Sequence, residues 1–436
     1  MKKVLIITYY WPPSGGSGVQ RWMYFCKYLP SYNVKPIVIT VDEKKASYKY
    51  IDNSFNEKIK DIEVYKTKTL EPLKIYSQIL SGDKNKGIPI GFSGENKPNI
   101  FQKISRIIRG NFFIPDARKG WVRFAIKKSF DIISKNDINI VITTGPPHST
   151  HFVGKKLKDK LNIKWIADFR DPWSEIHYNK YLYRSNFSKR KDENLERKIL
   201  SESDMILTVG PSMKEHLINR SNISKNKVKY IYNGYDEEIF KNVKSEKDEK
   251  YFTICHIGML SDNQPITAFL VALTSFYEKK HQICKKLRLR LIGSISPRII
   301  NEVKNTLPEL KLEIIDYVPQ KKAIYYMVNS DLLINSLAEM ENSQLLISGK
   351  LMEYIASGNP ILCLGNPDGD AAHLLKDVEF SEVFDRKNID SIFTFLNLIF
   401  EIWLKNNKFE VSKKTYLQYS RYETTRKLVE ILNKLT

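Results

Sequence analysis

The sequence predicts an α/β protein of two Rossmann-like, doubly wound parallel-sheet domains. Short apolar runs alternate with stretches of helical periodicity, the pattern of a parallel sheet covered on both faces. The alternation occurs twice, over residues 4–232 and again over residues 252–364, with an almost wholly polar stretch at 241–250 between them. A chain of 436 residues is also too long for one ordinary core. The expected domains are residues 1–240 and 251–416, joined by the polar linker.

Composition narrows the partners. Seventy Lys and Arg against 49 Asp and Glu give a net charge of +21, which calls for an anionic partner. The excess is spread along the chain, and neither an RNA-binding aromatic motif nor a helix-turn-helix signal is present, so nucleic acid is not expected. Cys26, Cys255, Cys284 and Cys363 share no metal-ligand spacing. They read as buried thiols of a reducing compartment, and the expected location is cytoplasmic. Residues 4–7 are too short an apolar core for a signal peptide, and the run 392–404 is too short to span a bilayer.

The first domain opens with a strand at residues 4–8, then Ser14-Gly15-Gly16-Ser17-Gly18, then a helix with Val19, Trp22, Met23, Cys26 and Leu29 on one face. Strand, glycine loop and helix can bring backbone amides onto a phosphate or sugar, with Arg21 on the polar face as a further anion contact. A tight turn that needs small residues would read the same way. A second strand is expected at 36–41, a charged, weakly patterned region at 42–60 and a mobile loop at 81–99. Over residues 104–130 basic side chains, among them Arg106, Arg109 and Arg123, interleave with apolar ones. Such a stretch can lie on an anionic membrane surface or form two amphipathic helices packed on the sheet.

Strands follow at 138–143 and 163–167. Their C-terminal ends carry Gly145-Pro146-Pro147-His148-Ser149 and Asp168-Phe169-Arg170-Asp171-Pro172-Trp173. Ligands of open parallel sheets bind beyond those ends, so His148, Asp168, Arg170 and Asp171 are candidates. Asp168 and Arg170 could equally be an ion pair holding the loop. Strands at 204–209 and 228–232 complete this half.

The second half places strands at 252–257, 287–292, 312–315, 331–334 and 361–364. Before the last lies a short helix marked at both ends. Ser348 caps its start, Gly358 suits the left-handed residue past its end, and Pro360 stops continuation. Gly349 permits close approach and Lys350 adds a point charge, so its N-terminus suits the phosphates of a nucleoside diphosphate, with Glu353 in reach of a sugar hydroxyl. A surface helix with a solvated lysine and glutamate remains the other reading.

Taken in order, the glycine loop at 15–18, the loop at 145–149, residues 168–173, Asn233-Gly234-Tyr235-Asp236 and Gly349-Lys350-Leu351-Met352-Glu353-Tyr354 resemble the retaining glycosyltransferases of family 4. Within that family the chain looks closest to bacterial enzymes of surface polysaccharide assembly, such as lipopolysaccharide, capsule or exopolysaccharide. The resemblance implies the GT-B fold, two domains facing each other across a cleft, with a last helix (417–436) that packs back on the first domain. It implies that the second domain binds a UDP- or GDP-sugar. Ser348, Gly349 and Lys350 would lie on the diphosphate, Glu353 on the ribose, Tyr317 and Val318 near the base, and Arg298 would add charge. Gly16 would meet donor phosphate from the first domain, with Gly15, Gly18, Arg21, Arg170 and Asp171 on the acceptor side. His148, Lys350 and Asp168 would be the catalytic set.

The resemblance further implies no metal and no cofactor, a hexosyl transfer, and a glycan or polyprenyl-diphosphate-linked acceptor at the inner face of the plasma membrane. Two departures stand out. Leu345 occupies the place of the first glutamate of the family's pair, with Glu339 or Glu341 as possible substitutes. The run 258–264 lacks the arginine and lysine that many relatives place there. A sugar-nucleotide epimerase on the same fold and a noncatalytic nucleotide-binding member are the alternatives.

Overall fold

The computed structural model describes residues 1–48, 51–71, 100–279, 285–406, 409 and 416–435. The loop expected at 81–99, and Cys284, lie outside them. The chain divides into two compact units, Met1–Tyr232 with Thr425–Thr436, and Asn233–Thr424. The division thus falls at Tyr232 rather than at 240, and within the last helix rather than at its start.

Unit 1 is a seven-stranded sheet of β1 (Lys2–Ile7), β2 (Val34–Val41), β3 (Glu63–Thr67), β4 (Ile138–Gly145), β5 (Lys164–Phe169), β6 (Met205–Thr208) and β7 (Val228–Tyr230). The order is β3-β2-β1-β4-β5-β6-β7, and every neighbouring pair is parallel. Its helices are α1 (Ser17–Tyr28), α2 (Ile100–Phe112), α3 (Val122–Lys135), α4 (His151–Lys158), α5 (Asn186–Glu202) and α6 (Pro211–Ser221). Apolar residues from β1, β2 and α1, including Val4, Ile6, Trp22 and Phe25, share one core with Leu428 and Leu432 of the last helix. Strand β3 was not expected from sequence. It is an edge strand whose side chains are half-buried or exposed, so it lacks the apolar run that marks its neighbours.

Residues 104–130 run from α2 through a connecting segment with one 3-10 turn (Lys119–Trp121) into α3. Arg106 is 4% exposed, while Ile104 and Ile107 are each 45% exposed. The expectation that Arg106 meets a membrane surface is therefore corrected, because Ile104 and Ile107 point outward and this arginine does not.

Unit 2 carries β8 (Phe252–Ile257), β9 (Leu287–Ile292), β10 (Lys311–Ile315), β11 (Leu332–Ser336), β12 (Ile361–Leu364) and β13 (Ser381–Phe384). Their order is β10-β9-β8-β11-β12-β13, again parallel throughout. Numbered within the unit, this is 3-2-1-4-5-6, the doubly wound dinucleotide-binding order. Unit 1 repeats it with one further strand. The helices are α7 (Thr267–Lys279), α8 (Pro297–Thr306), α9 (Gln320–Val328), α10 (Gly349–Ser357), α11 (Asp370–Leu375) and α12 (Ile389–Asn406), and the last helix, α13 (Arg421–Lys434), belongs to unit 1 from Thr425 on. The apolar run at 392–404 is the buried face of α12, whose Ile392, Leu396, Ile399 and Phe400 pack on Phe269, Leu273 and Phe276 of α7 in one core. Strand β13, a short edge strand, was also not expected.

Candidate functional site

In each sheet the strand order reverses beside the first strand, and the crevice at that point is where such sheets bind ligands. In unit 2 the reversal lies between β8 and β11. Three features build the rim there. The loop after β8 begins at Gly258, with φ +131°, a conformation that suits only glycine. It is tied to the loop after β11 by Glu339 N to Asn263 O (2.7 Å) and Gln264 Nε2 to Ser336 O (2.9 Å). Arg386 donates to Ser336 Oγ (3.0 Å) and to the Leu337 carbonyl, and its Nε lies 3.7 Å from Glu339 Oε1.

Helix α10 is the third feature. Ser348 Oγ accepts from Lys350 N at 3.3 Å, and Gly358 ends the helix at φ +73°. Leu351, Met352, Tyr354 and Ile355 are buried. Tyr354 reaches the point of reversal, where its hydroxyl accepts from Ile257 N at 2.9 Å and lies 3.5 Å from the Ile334 carbonyl. The sheet thereby fixes the helix in height and rotation. At the free end Gly349 is exposed, and a Cβ built on it would meet nothing within 4 Å. An anion can therefore come directly onto the first amides, where the helix dipole favours it.

Lys350 and Glu353 pair at 2.9 Å, and Gln320 Nε2 donates to the other carboxylate oxygen at 3.1 Å. The lysine stem lies over Gly258, with Cε 3.6 Å from where a Cβ would stand. The ammonium is thus held by one carboxylate at the helix tip, and the lysine side chain is 37% exposed. Tyr317 is 85% exposed and Val318 half-buried at the end of β10, one turn before Gln320. Arg298 is exposed in the first turn of α8, behind Ser296, which bonds its amide. Leu345 is 7% exposed and packs inward, whereas Glu339 and Glu341 are exposed.

Unit 1 reverses between β1 and β4. Gly16 has φ +97° and precedes α1, whose start has no side-chain cap. Gly16 and Gly18 are exposed and Gly15 is half-buried. Arg170 fastens this loop to the next one. Its guanidinium donates to the carbonyls of Gly145 (3.0 Å), Pro146 (2.5 Å) and Gly18. Arg170 is thus committed to three backbone carbonyls. Asp171 beside it is exposed.

Two expectations need correction. Arg21 is not on a polar face. It is 1% exposed, and it donates to Asp168 (3.1 and 3.2 Å) and to the carbonyls of Ile231 (2.7 Å) and Thr208 (3.3 Å). Asp168 is fully buried, and its second oxygen accepts from Trp22 Nε1 (2.6 Å) and Thr144 Oγ1 (2.8 Å). All the carboxylate's acceptor sites are used, so Asp168 braces α1, β4 and β5 and offers no oxygen to a reacting group. Its ion-pair partner is Arg21, not Arg170.

His148 lies in a buried stack. Its ring is 5.1 Å from that of Trp173, with planes 11° apart, and 5.9 Å from that of His151. Burial, then the neighbouring His151 and Arg170 charges, hold its pKa well below the usual histidine range. A neutral ring is the stable form. His151 is likewise held down, to about 3, first by burial. Trp165 Nε1 donates to Thr143 Oγ1 (2.8 Å), which leaves the threonine hydrogen for His151 Nδ1 at 2.9 Å.

Sequence reading missed Asp116 and Arg386. Asp116 accepts from Ser149 N and Oγ, both at 2.8 Å, and so sets the His148 loop from 33 residues away. Neither residue belongs to a local motif, and no sequence spacing points to them.

Residues 91–239 match the family model described as Glycosyltransferase Family 4. No curated protein matches the chain. Among solved structures, a glycosyltransferase from Rickettsia africae ESF-5 has 16% identity and a TM-score of 0.60, covering 100% of this chain and 98% of that one. Anabaena Alr3699/HepE in complex with UDP has 12% identity and a TM-score of 0.58, with full coverage of both chains. The lipopolysaccharide outer core galactosyltransferase WaaB has 11% identity and a TM-score of 0.59, also with full coverage. The chain therefore has the two-Rossmann-like GT-B fold over its whole length, and over residues 91–239 it carries the sequence pattern of glycosyltransferase family 4.

Proposed function

We propose that the protein is a retaining, metal-independent hexosyltransferase. It moves a sugar from a nucleotide sugar to a glycan or lipid-linked acceptor in bacterial surface polysaccharide synthesis. The observation that carries this reading is the open tip of α10, where an unobstructed Gly349 and the Lys350–Glu353 pair meet at the strand reversal of unit 2. The Anabaena relative is solved with UDP and with UDP-glucose, and WaaB is a galactosyltransferase, which favours a UDP-hexose donor.

The pyrophosphate would sit on the amides of Gly349 and Lys350. Lys350 would turn from Glu353 to the phosphate, and Glu353, still held by Gln320, would take the ribose hydroxyls. Tyr317 and Val318 would flank the base, with Arg298 adding charge. Glu339, kept in place by Asn263 and Arg386, would contact the transferred sugar where Leu345 cannot. The leaving diphosphate gains negative charge in the transition state, and pre-aimed amides and an ammonium stabilise it without reorganisation. The departing phosphate takes the acceptor proton, so a neutral His148 orients the sugar and is not the base. In unit 1 the acceptor role is assigned to the exposed Gly16, Gly18 and Asp171.

The test is incubation with labelled UDP- and GDP-sugars, with and without a bacterial lipid or glycan extract, followed by determination of the new anomeric linkage. Transfer only with extract and with retained configuration is expected. An altered free sugar nucleotide without extract would mean an epimerase. No turnover with intact donor binding would mean a noncatalytic member.

A further inference from the structure

We infer that Arg170 is a positioning residue, a single guanidinium that sets the glycine loop of unit 1 in fixed register with the His148 loop. The role rests on the transferase reading for its use, which is to hold those two loops at the geometry an acceptor needs. The clamp itself is a property of unit 1 alone.

Among the described residues no backbone hydrogen bond joins residues 14–18 to residues 145–149. Arg170, the first residue after β5, makes the connection. Its Nε donates to the Gly145 carbonyl at 3.0 Å, its Nη2 to the Pro146 carbonyl at 2.5 Å and its Nη1 to the Gly18 carbonyl. The backbone N of Arg170 also donates to the Gly145 carbonyl, at 3.2 Å, and so ties the root of the side chain to the end of β4. Three different nitrogens of one planar fork are in use. The carbonyls are therefore fixed in direction as well as in distance, which the point charge of a lysine cannot do.

Two glycines let the parts come this close. A Cβ on Gly18 would stand 3.0 Å from Arg170 Nη1. A Cβ on Gly145 would stand 2.7 Å from His148 Nδ1 and 2.8 Å from His151 Nε2, so the residue that Arg170 grips also lies against both imidazoles. Burial first, and the Arg170 charge with it, keeps a proton off either ring. That charge is not cancelled by a direct partner. Asp168, Asp171, Arg21 and Tyr10 are the charged and titratable groups that act on the guanidinium. Asp168 is taken by Arg21, Trp22 and Thr144, and Asp171 is exposed. Direct contact between Arg170 and an acceptor, the role expected from sequence, would have to break bonds that hold both loops.

The experiment compares the full-length wild type with R170A and R170K, with matched circular dichroism. Hydrogen exchange is followed by mass spectrometry over residues 12–22 and 143–152, without substrate. Both variants are expected to lose protection in these two segments, and to lower kcat/KM for the acceptor by up to about 100-fold, the cost of a small misplacement. The melting shift with UDP should stay as in the wild type. Methylguanidinium added to R170A should restore protection and rate, whereas methylammonium should not. Should R170A fail to fold, R170K carries the same test, because it keeps the charge and loses the fork. Unchanged exchange in either segment, equal rescue by methylammonium, or lost protection with unchanged transfer would each overturn the inference. A wild type that transfers no sugar would sink the transferase reading, and the exchange result would still stand.

Discussion

Lys350 Nζ lies 2.9 Å from Glu353 Oε2, one turn apart at the free end of α10. The pair holds Lys350 in place at that helix tip before any phosphate arrives, and places the carboxylate beside it for a neighbouring hydroxyl. A half-exposed i,i+3 pair on a helix of this kind contributes at most about 1 kcal/mol to stability. Its substitution can therefore be read as a change in binding and rate.

Lys350→Met is expected to lower turnover roughly 10- to 1000-fold, the range for loss of one stabiliser of developing charge. The melting temperature should hardly change. Steady-state kinetics with the donor identified by screening checks this, and a near-normal kcat would mean that the amides suffice.

Glu353→Ala should weaken binding of the free nucleotide as well as of the sugar nucleotide, because the contact assigned to it is with ribose. Isothermal titration with the nucleoside diphosphate measures it. Unchanged affinity would move the ribose elsewhere. Glu339→Gln, in contrast, should spare nucleotide binding and lower turnover.

Arg21 and Asp168 form a buried pair, and removing one partner strands the other. Arg21→Met or Asp168→Asn should each destabilise the protein by about 3–5 kcal/mol. The double variant should cost less than the sum. Denaturant unfolding reads both, and a stable Asp168→Asn enzyme with lost turnover would restore the catalytic role that burial argues against.

Histidine protonation gives two pH predictions. His151 is held to about 3 in the folded state, against about 6.5 when unfolded. The unfolded chain therefore takes up the proton first as pH falls. Its stabilising contribution is complete above about pH 6.5 and is lost as pH falls toward about 3, by about 2 kcal/mol at pH 5. His151→Asn should flatten that slope in thermal melts. His148 is also held down, so kcat/KM should show no inflection near pH 6.5 from this residue, whereas a general base would give one.

Much of this was legible in the chain. The central strands are continuous apolar runs because both faces of a parallel sheet are covered, and β1, β4 and β8 show it. β3 and β13 escaped because edge strands are short and half-exposed. The tip of α10 was readable from Ser348, Gly349 and Gly358, whose conformational demands are local. The Arg21–Asp168 pair was not, because 147 residues separate them and only the strand order brings them together. For α2, periodicity marks two faces but does not say which one is turned inward. That depended on Gly110 and Asn111 meeting a loop more than 70 residues away.

A crystal soaked with UDP and then with the UDP-sugar selected by screening tests the central claim most directly. The pyrophosphate is expected on the backbone amides of Gly349 and Lys350, with Lys350 Nζ moved from Glu353 to a phosphate oxygen and Glu353 on the ribose. Density for the nucleotide away from the α10 tip, with the Lys350–Glu353 pair undisturbed, would contradict it.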